Sequence, residues 1–254
     1  MKDYSGYLLD LDGTIYRGEE PIPEAVAFVK KLKDRKIPYL FVTNNSTASP
    51  EEVAGRLQNM GVPCEEEHVV TTSMAAASYI AREAINQTAF IIGENGLKQA
   101  IHSAGFQDEA ENPGFVVVGL DRHVTYDKLA KACLAVRNGA RFISTNADVA
   151  LPTEKGFMPG NGAITAVITV STGVQPTFIG KPERIMIDEA VNRLGLSHEE
   201  TVLIGDNYDT DILAGIQAGL DTVHVATGVT TVEELASKSQ PATYNVSSLS
   251  EWKI

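Results

Sequence analysis

Short apolar runs alternate with amphipathic stretches from one end of the chain to the other. Tyr7–Leu11 reads as a first strand, and Pro21-Ile22-Pro23-Glu24 opens a helix with Pro23 at an early position, where a missing N–H is tolerated. Ala25, Phe28, Val29 and Leu32 follow at helical spacing and form one apolar stripe. Tyr39–Val42 predicts a second strand, and Ser49-Pro50-Glu51-Glu52 starts a helix that stops near Gly61. Val69-Val70 predicts a third strand, before the alanine-rich helix Ser73–Ala84. The alternation restarts near Thr88, with strands at Ala89–Ile92, Phe115–Val118 and Phe142–Ser144. Helices are expected at Asn95–Ala104, Tyr126–Asn138 and Ala163–Ser171. Then come the strand Thr177–Ile179, the helix Pro182–Leu194 stopped by Gly195, and the strand Thr201–Ile204. The helix Thr210–Ala218, the strand Thr222–Val225 and a last strand and half-turn within Tyr244–Ile254 complete the pattern. Such alternation predicts an α/β fold with a mainly parallel sheet.

Four of the apolar runs stop on polar groups. Tyr7-Leu8-Leu9 reaches Asp10-Leu11-Asp12-Gly13-Thr14, and Tyr39–Val42 reaches Thr43-Asn44-Asn45-Ser46. Thr177–Ile179 reaches Gly180-Lys181-Pro182, and Thr201–Ile204 reaches Gly205-Asp206, with Asp211 five residues further on. Ligands of open α/β sheets bind outside the carboxyl ends of the strands, so these four termini are expected to meet. Asp10 and Asp12, two residues apart, point to the same side while the backbone stays extended. Two carboxylates ~4 Å apart repel by about 4 kcal/mol at an effective dielectric of about 20, so either one is protonated or a cation sits among them. An all-oxygen set without His or Cys favours a hard ion, and Mg²⁺ is the natural choice. Thr43, the Asn44 amide and Lys181 would face it across a tetrahedral anion. The inference is a phosphate held between a metal and a lysine.

Each fragment also has a simpler reading. D-x-D-G alone is commonly a turn, T-N-N-S a loop or helix cap, Lys181 a solvated lysine and Asp211 a charge at a helix N-terminus. Neither acidic segment has the spacing of a calcium-binding loop. The order of the four, each directly after an apolar strand, separates them from chance.

Composition narrows the partners. The chain has 254 residues, with 21 Lys+Arg against 33 Asp+Glu, a formal net charge of -12. A surface this acidic repels nucleic-acid backbones and anionic lipid, so neither nucleic acid nor membrane is an expected partner. No apolar run approaches a membrane span, and the N-terminus has no signal-peptide pattern, which predicts a cytoplasmic protein. Cys64 and Cys133 are too few for a disulfide framework and are expected as free thiols. The five histidines show no metal-binding spacing and read as structural.

In these motifs the sequence resembles the haloacid dehalogenase-like hydrolase superfamily. Asp10-Leu11-Asp12-Gly13-Thr14 is similar to its first motif, Thr43 to its second, Lys181 to its third and Gly205-Asp206…Asp211 to its fourth. The stretch Thr145-Asn146-Ala147-Asp148…Pro152…Gly156…Pro159-Gly160-Asn161-Gly162 resembles the cap signature of the NagD-like, or 4-nitrophenyl-phosphatase-like, branch, with Ala147 where that branch has proline. The resemblance implies a Rossmann-like core of residues 1–78 and 178–254, with an inserted α/β cap at 79–177. It implies Asp10 as nucleophile forming an aspartyl-phosphate, and Asp12 as general acid and then base. Thr43, Asn44 and Asn45 would bind the phosphoryl group together with Lys181. Mg²⁺ would be held by the Asp10 carboxylate, the Asp12 carbonyl and Asp206, with Asp211 orienting water or Lys181 from behind. Asn146, Asp148 and the Gly160–Gly162 turn are the candidates for leaving-group contacts, weighed against a plain loop cap.

The expected activity is hydrolysis of small phosphomonoesters: sugar or sugar-acid phosphates, or nucleoside monophosphates. Its rivals are phosphotransfer to a sugar acceptor and a catalytically silent phospho-metabolite sensor. A phospho-receiver module is disfavoured, because its phospho-accepting Asp ends a middle strand and the module is about half this length. Two-fold dimers are common, so a homodimer stays open.

Overall fold

The computed structural model describes residues 2–84, 86–153 and 155–254. The chain forms two compact units. The first comprises the chain up to Thr43, Pro50–Val70 and Lys181–Ile254; the second comprises Asn44–Ser49 and Thr71–Gly180. These limits differ from 78 and 177: the helix Thr72–Glu83, which spans the first of those positions, lies wholly in the second unit.

The first unit is built on a six-stranded sheet. Its strand order is Tyr244–Val246, Asp221–Val225, Thr201–Gly205, Gly6–Leu9, Tyr39–Thr43, Val69–Thr71. Gly6–Leu9 pairs in parallel with both neighbours, Leu8 lying opposite Leu203 on one side and Leu40 on the other. All four residues of this strand are buried, as the unbroken apolar run required for a strand covered on both faces. The helix Pro23–Asp34 buries Ala25, Phe28, Val29 and Leu32, the stripe read from the sequence. The helix Arg184–Leu194 buries Met186, Ile187, Ala190 and Val191 and ends on Gly195, whose φ of 70° suits a left-handed cap. After Gly6–Leu9 the chain builds outward on one side through Tyr39 and Val69, then on the other through Thr201, Asp221 and Tyr244. The order therefore reverses at the first strand, and a crevice opens at the carboxyl end of that strand. Asp10 is the next residue.

The second unit interrupts the first in sequence and has its own five-stranded parallel sheet. Its order is Thr177–Phe178, Arg141–Ser144, Phe115–Val118, Thr88–Ile92, Gln107–Asp108. Ile92, Val116, Val118, Phe142, Ala132, Val136 and Ile168 form its core with the helices Tyr126–Arg137 and Asn161–Thr172. An antiparallel hairpin, Ala150–Thr153 with Gly156–Pro159, precedes the latter helix. One sequence expectation is corrected here. The strand leading to Lys181 is an edge of this second sheet, paired with Arg141–Ser144, so only three of the four polar strand ends share a sheet.

Cys64 and Cys133 are buried free thiols in different units, and burial pushes the Cys64 thiol up to about 12. No helix among the described residues is long and apolar enough to cross a membrane.

Candidate active site

The loop after the first strand is wound around a single carbonyl. Leu11 O accepts from the N–H groups of Thr14, Ile15 and Tyr16 at 2.7–3.2 Å, and Gly13 N donates back to Tyr16 O at 2.7 Å. This needs φ of +87° at Gly13, a left-handed conformation in which glycine carries no steric penalty. The turn brings Thr14 Oγ1 to 3.2 Å from Asp206 Oδ1 and 3.5 Å from Asp10 Oδ2. A Cβ on Gly13 would lie 2.4 Å from the Asp206 carboxyl carbon, so the glycine also makes room for that side chain. Asp12 is exposed, with its Oδ1 accepting from Gly18 N at 3.3 Å.

Lys181 is the electrostatic centre. Its side chain is 2% exposed and its ammonium donates to Asp10 Oδ1 at 2.5 Å, Asp211 Oδ1 at 2.6 Å and Val42 O at 3.0 Å. Burial opposes the lysine charge, but Asp10 and Asp211 outweigh it and hold the ammonium above the usual lysine range. Val42 lies one residue before Thr43, so the lysine is tied to the end of the second strand as well as the first.

Asp206 follows the strand Thr201–Gly205 and accepts from Thr14 Oγ1 and, at 2.6 Å, from Val229 N. A Cβ on Gly228 would sit 1.9 Å from Asp206 Oδ2, so only glycine fits there. Buried His224 meets the backbone of Asp206: its Nε2 lies 3.1 Å from Asp206 O and 3.0 Å from Thr230 O. It is structural, as read from the sequence. Asp211 sits in a π-helical turn, Tyr208–Ile212, where a helix starting at Thr210 was expected. Its Oδ2 accepts from Asn207 N at 3.1 Å while Oδ1 holds Lys181. Gly205 allows this approach, since a Cβ there would meet Asp211 Cβ at 2.3 Å.

Asp10, Asp206 and Asp211 each place one oxygen within 4.8 Å of the others. Three carboxylates against one ammonium leave two negative charges in a buried space. The consequence is visible in the carboxyl groups: burial, then the charge of Asp211, pushes Asp10 up to about 8, and the same two causes push Asp206 up to about 6. A hard, oxygen-only donor set short of two positive charges fits a divalent cation of the Mg²⁺ kind. Both oxygens of each of the three carboxylates accept hydrogen bonds, so Asp10, Asp206 and Asp211 stand together as its candidate ligands.

Thr43 ends the strand Tyr39–Thr43 of the first unit, and the candidates Asn44, Asn45, Asn146 and Asp148 lie in the second. Asn44 Nδ2 donates to Asp148 Oδ1 at 3.4 Å, and Asn146 Nδ2 donates to Asn44 O at 2.8 Å. Asn45 Oδ1 accepts from Thr47 N, Thr47 Oγ1 and Ala48 N at 2.7–3.2 Å, so it caps its own loop. Sequence reasoning gave no role to Thr14, His224 or Gly228. Thr14 stood inside the D-x-D-G-T motif, but nothing around the other two distinguishes them from ordinary residues.

A strand-end carboxylate held by a buried lysine thus stands at the switch point of a parallel sheet. The chain belongs to the haloacid dehalogenase-like hydrolases: the family model of that description matches residues 7–107, and a HAD-hydrolase-like model matches residues 178–252. Within that family it falls in the NagD-like branch. NagD from E. coli K-12 superposes with a TM-score of 0.94 at 34% identity, covering 99% of each chain. A 5'-nucleotidase, YutF, of Bacillus subtilis (strain 168) is 55% identical over 252 residues, 99% of this chain and 98% of its own. An acid sugar phosphatase of Staphylococcus saprophyticus is 52% identical over 252 residues, 99% of this chain and 97% of its own.

Proposed function

We propose that the chain, a phosphoric monoester hydrolase, acts on sugar phosphates or nucleoside monophosphates with Mg²⁺ through a phosphorylated Asp10. The observation that carries this reading is the buried Lys181 bridging Asp10 and Asp211 beside Asp206. The relatives named as a 5'-nucleotidase and an acid sugar phosphatase support the two substrate classes. The first unit acts as the core and the second as its cap.

Lys181 offsets part of the burial that opposes ionisation of Asp10 and fixes the direction of its carboxylate. Thr43 and the backbone after it bind phosphoryl oxygens. An oxygen of Asp10 forms a bond to phosphorus as the bond to the ester oxygen breaks, and Asp12 gives that oxygen its proton. Asp12 then takes a proton from water, whose oxygen displaces Asp10 and releases phosphate. Asp12, left without its proton by the first step, recovers one from the water in the second, so the cycle returns it to its starting form. A divalent cation held by Asp10 and Asp206 would neutralise charge on the transferring group.

The test is phosphate release from 4-nitrophenyl phosphate and a panel of sugar phosphates and nucleoside monophosphates, with Mg²⁺ and with EDTA. Metal-dependent release is expected, lost in Asp10→Asn while the fold persists. Undiminished turnover in that variant would sink the mechanism. A strict need for a sugar acceptor would make the chain a phosphotransferase, and absence of turnover a sensor.

A further inference from the structure

The chain passes between the units at Thr43/Asn44, Ser49/Pro50, Val70/Thr71 and Gly180/Lys181. Second-unit residues at or next to the first, third and last of these crossings, Asn44, Thr72 and Gly180, meet in one polar cluster. The Asn44 carbonyl accepts from Asn146 Nδ2 at 2.8 Å and from Thr72 Oγ1 at 3.0 Å, which uses both of its lone pairs. A Cβ on Gly180 would lie 2.6 Å from Asn44 Oδ1, 2.6 Å from Thr72 Cγ2 and 2.7 Å from Thr145 O, so glycine is what lets the three close together. Asn161 braces the cluster from beneath, donating to Asn146 O at 2.8 Å. Thr72, Asn146 and Asn161 are 0%, 4% and 2% exposed. Downstream, Ser73 Oγ donates to Ser46 O, Leu120 N to Ser46 Oγ and Gly96 N to Thr47 O. The strap Asn44–Ser49 is thereby built into the second unit.

We infer that Asn146 and Thr72 are positioning residues for phosphate binding, and that the side-chain amide of Asn146 serves this role instead of touching the leaving group. The inference rests on the proposed function. A peptide group is a rigid plane. Holding the Asn44 carbonyl on two donors fixes the whole Asn44–Asn45 plane and turns its N–H to the opposite side. The same clamp anchors the residue that follows Thr43 and, through Gly180, the residue that precedes Lys181. The clamp thus holds the second-unit neighbours of Thr43 and Lys181, the two first-unit groups of the proposed phosphate site.

The experiment compares wild type, Asn146→Ala, Thr72→Val and Thr72→Ser on 4-nitrophenyl phosphate and on a nucleoside monophosphate. Calorimetric binding of inorganic phosphate is measured for each. Asn146→Ala and Thr72→Val should lower kcat/KM about tenfold, by the same factor on both esters, and weaken phosphate binding in step. Thr72→Ser, which keeps the hydroxyl, should retain wild-type values. A loss confined to one ester with phosphate binding unchanged would make Asn146 a leaving-group contact and overturn the proposal, as would wild-type behaviour in both variants. Should Asn146→Ala fail to fold, Thr72→Val preserves side-chain volume and carries the test; collapse of both assigns the pair to stability alone and also overturns it. A wild type that turns over neither ester refutes the hydrolase reading separately, and phosphate binding still decides the positioning role.

Discussion

Replacing Lys181 with methionine isolates the electrostatics of the site. The lysine stem is conserved in size, but Asp10 and Asp211 lose their common counter-charge and Val42 O loses its donor. Removing one partner of a buried ion pair typically costs about 3–5 kcal/mol, because a charge is left uncompensated. The orphaned carbonyl adds about 1 kcal/mol that does not depend on pH. The larger part does depend on it. Asp10 already stands near 8 in the native protein with Lys181 in place, so loss of the ammonium raises it further. A carboxyl group whose native value is raised contributes stability that is complete below its unfolded value, near 4, and is lost as pH rises through the native value. The gap between wild type and Lys181→Met should therefore be about 4–6 kcal/mol at pH 8.5 and shrink near pH 5 by the share owed to Asp10, which is neutral there in both, the share owed to Asp211 remaining. Trp252 is the single tryptophan, is buried in the first unit and reports on that unit alone. Urea melts in EDTA, followed by its fluorescence, give the comparison directly. A second substitution, Asp211→Asn, removes one of the stranded carboxylates and should recover a large part of the loss at pH 8.5. Equal midpoints at pH 8.5, or a loss that does not vary with pH, would show that water screens the three groups and would refute the reasoning.

Two further outcomes follow from the same geometry. Gly228→Ala places a Cβ 1.9 Å from Asp206 Oδ2, so the carboxylate must move; displacement by about 1 Å should cost about 100-fold in kcat/KM, read in Mg²⁺ titrations of turnover, with Trp252 emission unchanged. Asp10 and Asp206, near 8 and 6 without metal, should release protons when a cation binds, so Mg²⁺ binds more weakly at pH 5.5 than at pH 8.5. Calorimetry in buffers of different ionisation enthalpy measures that release, and a buffer-independent heat would contradict it.

Most of the fold was legible because its signal is periodic. The stripe at Ala25, Phe28, Val29 and Leu32 and the unbroken run at Tyr7–Leu9 are forced by which faces must be buried, and burial is what the structure shows for them. Elements without such a face escaped. The hairpin at Ala150–Thr153 and Gly156–Pro159 has an exposed second strand, and Pro152 and Pro159 argue against strands in the sequence. The helix Val232–Ala236 is a different case. Thr231 and Glu234 form a capping box, a pattern that stands in the sequence and could have located it. The π-helical turn at Tyr208–Ile212 differs from an α-helix by one residue per turn, which a stretch this short cannot encode in its periodicity.

The site divides along the same line. Its charged members announce themselves, because carboxylates and a lysine placed directly after apolar strands have few structural uses in common. The parts that aim them do not. Gly13, Gly205 and Gly228 matter for the space they leave around Asp206 and Asp211, and empty space has no residue type of its own. His224 acts on a backbone carbonyl, so its partner is invisible in sequence. Most consequential is Lys181. Its preceding strand pairs in the second sheet while the lysine itself is buried against Asp10, so the strand that marked this lysine in the sequence is not a strand of the sheet that carries Asp10. What binds the lysine into the first unit is charge: two carboxylates and a carbonyl saturate its three donors.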